Sequence, residues 1–189
     1  MGEPKLRLVS ELPENRIARA RSGDRTAISG LYAELSGGVV SYLRGSGARD
    51  PEDLAGDVFV AMIHGLHSFE GDEKAFRRWV FTIAHNRLID ERRKKSVRPV
   101  ESLPGGGRDV GADDSYDRML GRVDAGPAVR ALARLTADQR DAVVLRSVVG
   151  LSISDTAAIL NKTPGAVKTL HRRALASLAR VVGEQQVGS

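Results

Sequence analysis

The chain has 189 residues, with 29 Lys and Arg against 24 Asp and Glu and a formal net charge of +5. That length fits one domain or two small ones, each with a modest core, and the basic balance leans toward polyanionic partners without naming one. Cysteine is absent, which excludes disulfides, thiolate metal sites and a thiol redox switch.

Aromatic content is 4%, and Ala, Leu, Val and Arg suit helices better than sheet. No apolar run approaches the ~20 residues of a bilayer span. The first residues lack the apolar core and cleavage site of a signal peptide. The expectation is a cytoplasmic protein with no membrane insertion.

Residues 1–23 read as a leader with a short helix from Glu14 to Ser22, ending near Gly23. A second helical pattern starts at Asp24 and places Ile28, Leu31, Tyr32 and Leu35 on one side. Gly37 and Gly38 interrupt it at a cost of ~1 kcal/mol each, which leaves a bend and a break both open. Asp50-Pro51-Glu52-Asp53 is a helix start, with a cap, a proline at the first position and acids at the positive end of the dipole. Leu54, Val58, Ala61, Met62 and Leu66 form the buried stripe of that helix. Dipole complementation explains Glu52 and Asp53. It explains Asp57, a turn further in, less well, which leaves room for a basic protein partner.

His64 and His67 share a helix but have no third ligand at metal spacing. No set of nucleophile, base and orienting group stands out, and no phosphate loop or paired-carboxylate motif. Neither an enzyme nor a cofactor is expected. After a polar loop from Ser68 to Lys74, the next helix carries Phe76, Trp79, Val80, Ile83 and Ala84 on an inward arc. Arg78, Thr82, His85, Asn86 and Arg93 lie opposite, and Arg87 and Asp90 are spaced to pair. Amides, cations and nearby aromatics suit an opened nucleic acid strand.

Residues 97–125 are rich in Gly, Pro and Asp and read as a flexible linker, with a transient helix allowed around Tyr116 to Val123. From residue 126 a second helical domain follows, with Thr136-x-x-Gln139 as a capping box. It ends in two helices split by Asn161-Lys162-Thr163, with Thr163 as cap and Pro164 at the first helical position. On the last helix Val167, Leu170, Ala174 and Leu178 face one way. Lys168, Thr169 and Arg172 face the other, with Arg173 at the edge. This is the pattern of a helix-turn-helix with a major-groove reading helix; the plain alternative is a helical hairpin with a solvated basic side.

Three stretches together resemble the group IV, or extracytoplasmic-function (ECF), sigma factors of bacterial RNA polymerase. Asp50 to Phe59 resembles the core-polymerase-binding helix, Phe76 to Arg93 the −10 region, and Gly150 to Ala174 the −35 module. The resemblance implies an all-α fold of two small helical domains: a region 2-like bundle over 24–96 and a region 4-like helix-turn-helix domain over 126–189. It implies core polymerase contacts at Glu52, Asp53, Leu54, Asp57 and Val58. It implies −10 contacts at His85, Asn86, Asp90, Arg92 and Arg93, with the loop from Phe69 to Lys74 holding a flipped-out base. Lys168, Thr169, Arg172 and Arg173 would meet the −35 duplex. An anti-sigma partner and a signal response are implied as well.

Gly56 stands where the family usually has Gln, Leu170 where it has Arg, and Thr156 where it has Ile. The competing reading is a stand-alone helix-turn-helix regulator of duplex DNA. The acidic helix and the −10-like helix argue against it, since duplex binding needs neither.

Overall fold

The computed structural model describes residues 14–96 and 127–187; the stretch read from sequence as a linker, with its transient helix, and both chain ends lie outside the described residues. All regular structure described is helical: α1 (Glu14–Arg21), α2 (Arg25–Gly45), α3 (Pro51–Leu66), α4 (Glu73–Ser96), α5 (Pro127–Ala133), α6 (Ala137–Val143), α7 (Ile153–Ile159) and α8 (Pro164–Val187). A π-helical turn, Val144–Val148, continues α6.

The helix boundaries follow local chemistry. Asp24 caps α2 by accepting from the Thr26 and Ala27 amides, and Asp50 caps α3 through the Asp53 amide. Thr136 and Gln139 form the reciprocal capping box at α6. Ser152 caps α7, and Thr163 accepts from the Ala166 amide at the start of α8. The turn between α7 and α8 closes on Asn161 at φ 51°, a left-handed conformation that asparagine tolerates better than most residues.

Helix α2 runs unbroken through Gly37 and Gly38. Gly38 faces the Phe81 ring of α4, which a Cβ there would meet at an ordinary contact distance of 3.4 Å. Helix α1 packs on α2 and joins the same core through Ile17 and Ala20, with Arg16 paired to Glu34 at 2.7 Å. It therefore belongs with the N-terminal bundle, although the sequence reading grouped it with the leader. Tyr32 packs on Phe59 between α2 and α3 with the rings tilted by 60°, and Phe76, Phe69 and Trp79 cluster between α3 and α4. Besides the inward arc expected for α4, Phe81 and Leu88 are fully buried.

The C-terminal unit packs α6 and α7 against α8. Its core continues into that of the N-terminal unit: α4 lies on α7, and α2 on α6 and the π-turn. A Cβ on Gly45 would sit 3.0 Å from a Val144 methyl carbon, which marks how closely α2 approaches the second unit.

Candidate nucleic-acid interface

The recognition-type helix is presented as its sequence pattern implies. Val167 and Ala174 are fully buried, while Lys168, Arg172 and Arg173 are exposed. Thr169 is half-buried and donates its hydroxyl to the Gly165 carbonyl at 3.1 Å. Leu170 packs against the core, as its place at the edge of the apolar arc suggested. His171 Nε2 lies 3.0 Å from the Ser147 hydroxyl, tying α8 to the π-turn. Thr156 is fully buried, and its hydroxyl has no hydrogen-bond partner among the described residues.

On α3, Glu52, Asp53 and Asp57 are exposed, and Leu54 is half-buried against the core. Glu52 pairs with Arg44. Val58 is fully buried; it supports the acidic face from beneath, so the direct contact assigned to it from sequence does not match its position. Gly56 faces open space. His67 Nδ1 donates to the His64 carbonyl at 2.9 Å, a local bond within one turn.

Helix α4 is where sequence and structure part most. Asn86, Asp90 and Arg93 are exposed, and Asp90 pairs with Arg93 at 4.0 Å. The pairing expected with Arg87 does not form, and Arg87 is exposed. Phe69 is half-buried, with its ring 5.1 Å from Trp79 and 5.2 Å from Phe76, so the aromatic anchors the loop to the core. Trp79 fits against α3 because residue 65 is glycine: a Cβ there would lie 2.8 Å from the indole.

The remaining polar side of α4 faces the C-terminal unit. Arg92 forks onto Asp141 with bonds of 2.8 and 2.9 Å and also donates to the Ser46 carbonyl at 2.6 Å. His85 Nδ1 is 2.9 Å from the Tyr42 hydroxyl and 3.9 Å from Asp141. Further along, Arg78 and Lys74 approach Asp155 at 3.3 and 3.8 Å. Both carboxylates are buried.

Burial moves the pKa values of this cluster. It lowers that of His85, with Asp141 acting to raise it and Arg92 to lower it further. It raises that of Tyr42 well above its ordinary value, and nearby Asp141 adds to the rise. The roles of Asp141 and Asp155 were missed from sequence. Asp155 has a sufficient local reason to exist as a helix-start acid. Arg140-Asp141 stands beside the apolar run from Ala142 to Leu145, and that charge at the edge of a core segment was the available signal.

The family model described as Sigma-70 region 2 matches residues 31–98, and the one described as Sigma-70, region 4 matches residues 127–178. The ECF RNA polymerase sigma factor BldN of Streptomyces coelicolor is 32% identical over 88% of this chain, which spans 64% of that relative's length. The ECF RNA polymerase sigma factor ShbA of Streptomyces griseus is 33% identical, with 89% of this chain and 94% of the relative aligned. Among solved structures, CnrH in complex with the cytosolic domain of CnrY superposes with a TM-score of 0.67 at 26% identity, covering 92% of this chain and 99% of CnrH.

Proposed function

The chain belongs to the sigma-70 family of RNA polymerase sigma factors, in its ECF group, and we propose on that footing how its surfaces divide the work of initiation. The protein binds core RNA polymerase and directs it to specific promoters. The observation that carries this reading is the ordered pair of region 2 and region 4 modules, the second with Lys168, Arg172 and Arg173 turned to solvent.

Glu52, Asp53, Asp57 and the half-buried Leu54 form the polymerase-binding face, an acidic surface suited to a basic coiled-coil. Asn86, Asp90 and Arg93, with His85, Arg92 and the Phe69 loop, serve the −10 element, where opened bases need amide and cationic partners. Lys168, Thr169, Arg172 and Arg173 contact the −35 duplex: the cations position the helix on phosphates, and guanidinium groups suit guanine edges. The two modules are joined by the residues from 97 to 125, so each adds to the other's affinity once polymerase fixes their spacing.

The protein supplies no catalytic step of its own; polymerase carries the chemistry. It acts in the cytoplasm, at the nucleoid when in holoenzyme. No helix among the described residues is long and apolar enough to cross a membrane. CnrH was solved with the cytosolic domain of CnrY, and by the same reading an anti-sigma partner holds this protein until a signal releases it.

Run-off transcription with purified core enzyme and a genomic promoter library tests the proposal. Discrete transcripts that depend on the added protein are expected. A chain that never joins core polymerase yet grips duplex sites unaided belongs instead to the stand-alone regulators.

A further inference from the structure

The apolar arc of α8 is complete without Leu175. Val167 and Ala174 are buried, and Leu170 and Leu178 pack against the core. Leu175 lies on the opposite side and is 45% exposed. A lone surface leucine is ordinary on a solvated helix, but this one has particular company. Lys168, Arg172 and Leu175 follow the i, i+4, i+7 spacing of a single stripe, and both cations are exposed. At about 1.5 Å per residue Leu175 stands roughly 10 Å along α8 from Lys168, the length of about three base pairs of duplex.

The polar groups on this helix leave one kind of base pair unread. Thr169 commits its hydroxyl proton to the Gly165 carbonyl at 3.1 Å, and His171 Nε2 faces the Ser147 hydroxyl at 3.0 Å. What remains outward is cationic: Lys168, Arg172 and Arg173 suit phosphates and the acceptors on guanine. No Asn or Gln occurs between residues 164 and 181, and these are the side chains that pair with the adenine edge. Recognition of an A·T pair then falls to the 5-methyl group of thymine, which stands in the major groove and takes apolar contacts.

We propose that Leu175 is a specificity-determining residue of the −35 contact, its side chain closing on the 5-methyl group of a thymine while Lys168 and Arg172 hold the same stretch of duplex. The inference rests on reading α8 as the −35 helix. A cation at this position would add affinity without preference, because phosphates are alike in every sequence. Leucine adds little affinity for DNA at large and discriminates through one methyl contact.

Deoxyuridine pairs as thymidine does but lacks the 5-methyl group, so it isolates the contact. Promoters recovered from the genomic library by core polymerase with the full chain are resynthesised with each −35 thymine, on either strand, replaced singly by deoxyuridine. Run-off yield is measured at limiting holoenzyme for wild type, Leu175→Ala, Leu175→Met and Thr169→Ser. At one thymine the replacement is expected to lower yield about fourfold for wild type, the value of one buried methyl-sized group. The same replacement is expected to cost Leu175→Ala less than about 1.5-fold and Leu175→Met about as much as wild type.

The proposal is overturned if no single replacement matters or if the recovered −35 elements contain no A·T pair. Methyl dependence that survives in Leu175→Ala and vanishes in Thr169→Ser overturns it too. So does loss of core polymerase binding by Leu175→Ala with no change in the response to deoxyuridine, which would make the leucine a protein contact. Lys168→Ala with Arg172→Ala is the control for the −35 reading itself. If that double variant initiates as well as wild type, α8 is not the −35 helix and the proposal falls with it. If it fails while deoxyuridine is tolerated everywhere, the −35 reading stands and only the assignment of Leu175 falls.

Discussion

Neutralising Asp141 isolates the central contact between the two units. Asp141→Asn keeps the side chain's shape but leaves the Arg92 guanidinium, 15% exposed, facing an amide. Removing one partner of a buried ion pair costs about 3–5 kcal/mol. The present cost falls at or below the low end, because Asn keeps one acceptor oxygen and Arg92 keeps the Ser46 carbonyl. About 2–3 kcal/mol is expected, mainly from docking of the two units, which shifts the closed-to-open ratio by roughly 30- to 150-fold at 1.4 kcal/mol per decade.

Trp79 is the only tryptophan and sits in the N-terminal bundle, so its fluorescence reports unfolding there while the mutation lies in the other unit. With a urea slope of about 2 kcal/mol/M, the midpoint should fall by roughly 1–1.5 M. Asp138→Asn is the control. Its pair with Lys162 at 2.8 Å lies within the C-terminal unit, and its side chain is 57% exposed, which limits the effect to about 1 kcal/mol. Equal midpoints for Asp141→Asn and wild type would show that the two units fold without support from this contact.

Acidification should loosen the same interface. Because burial holds the His85 pKa below 6.5, the unfolded chain binds more protons than the folded one beneath that pH. Stability is therefore full above pH 6.5 and is lost as pH falls toward the depressed folded value. His171 shifts in the same direction through burial and Arg146, so the check is comparative: urea midpoints from pH 7.5 to 5.5 should fall less steeply in His85→Gln than in wild type. Thr156→Val should stabilise the C-terminal unit by about 1 kcal/mol, since it removes a buried hydroxyl without a partner among the described residues while keeping the shape; thermal melts measure it. Lys168→Ala with Arg172→Ala should weaken promoter use, leave core polymerase binding intact, and reduce the salt slope of DNA binding by about 1 per lost phosphate contact. Equal loss of polymerase binding would contradict the division of surfaces.

The elements were legible from sequence wherever a local signal decided them. Asp50-Pro51, Thr136-x-x-Gln139 and Thr163-Pro164 each name a helix start through atoms a few residues apart, and the structure closes the same bonds. The outward cations of α8 followed from helical spacing alone. What sequence did not disclose is where one unit meets the other. Arg92 and Asp141 are 49 residues apart and Arg78 and Asp155 are 77 apart, and spacing along a chain says nothing about such pairs.

The polar side of α4 was read as a nucleic-acid surface, because amides, cations and nearby aromatics suit an opened strand. That same chemistry accepts a carboxylate as readily as a phosphate. The two readings share one requirement, a surface of cations and amides built to take anions.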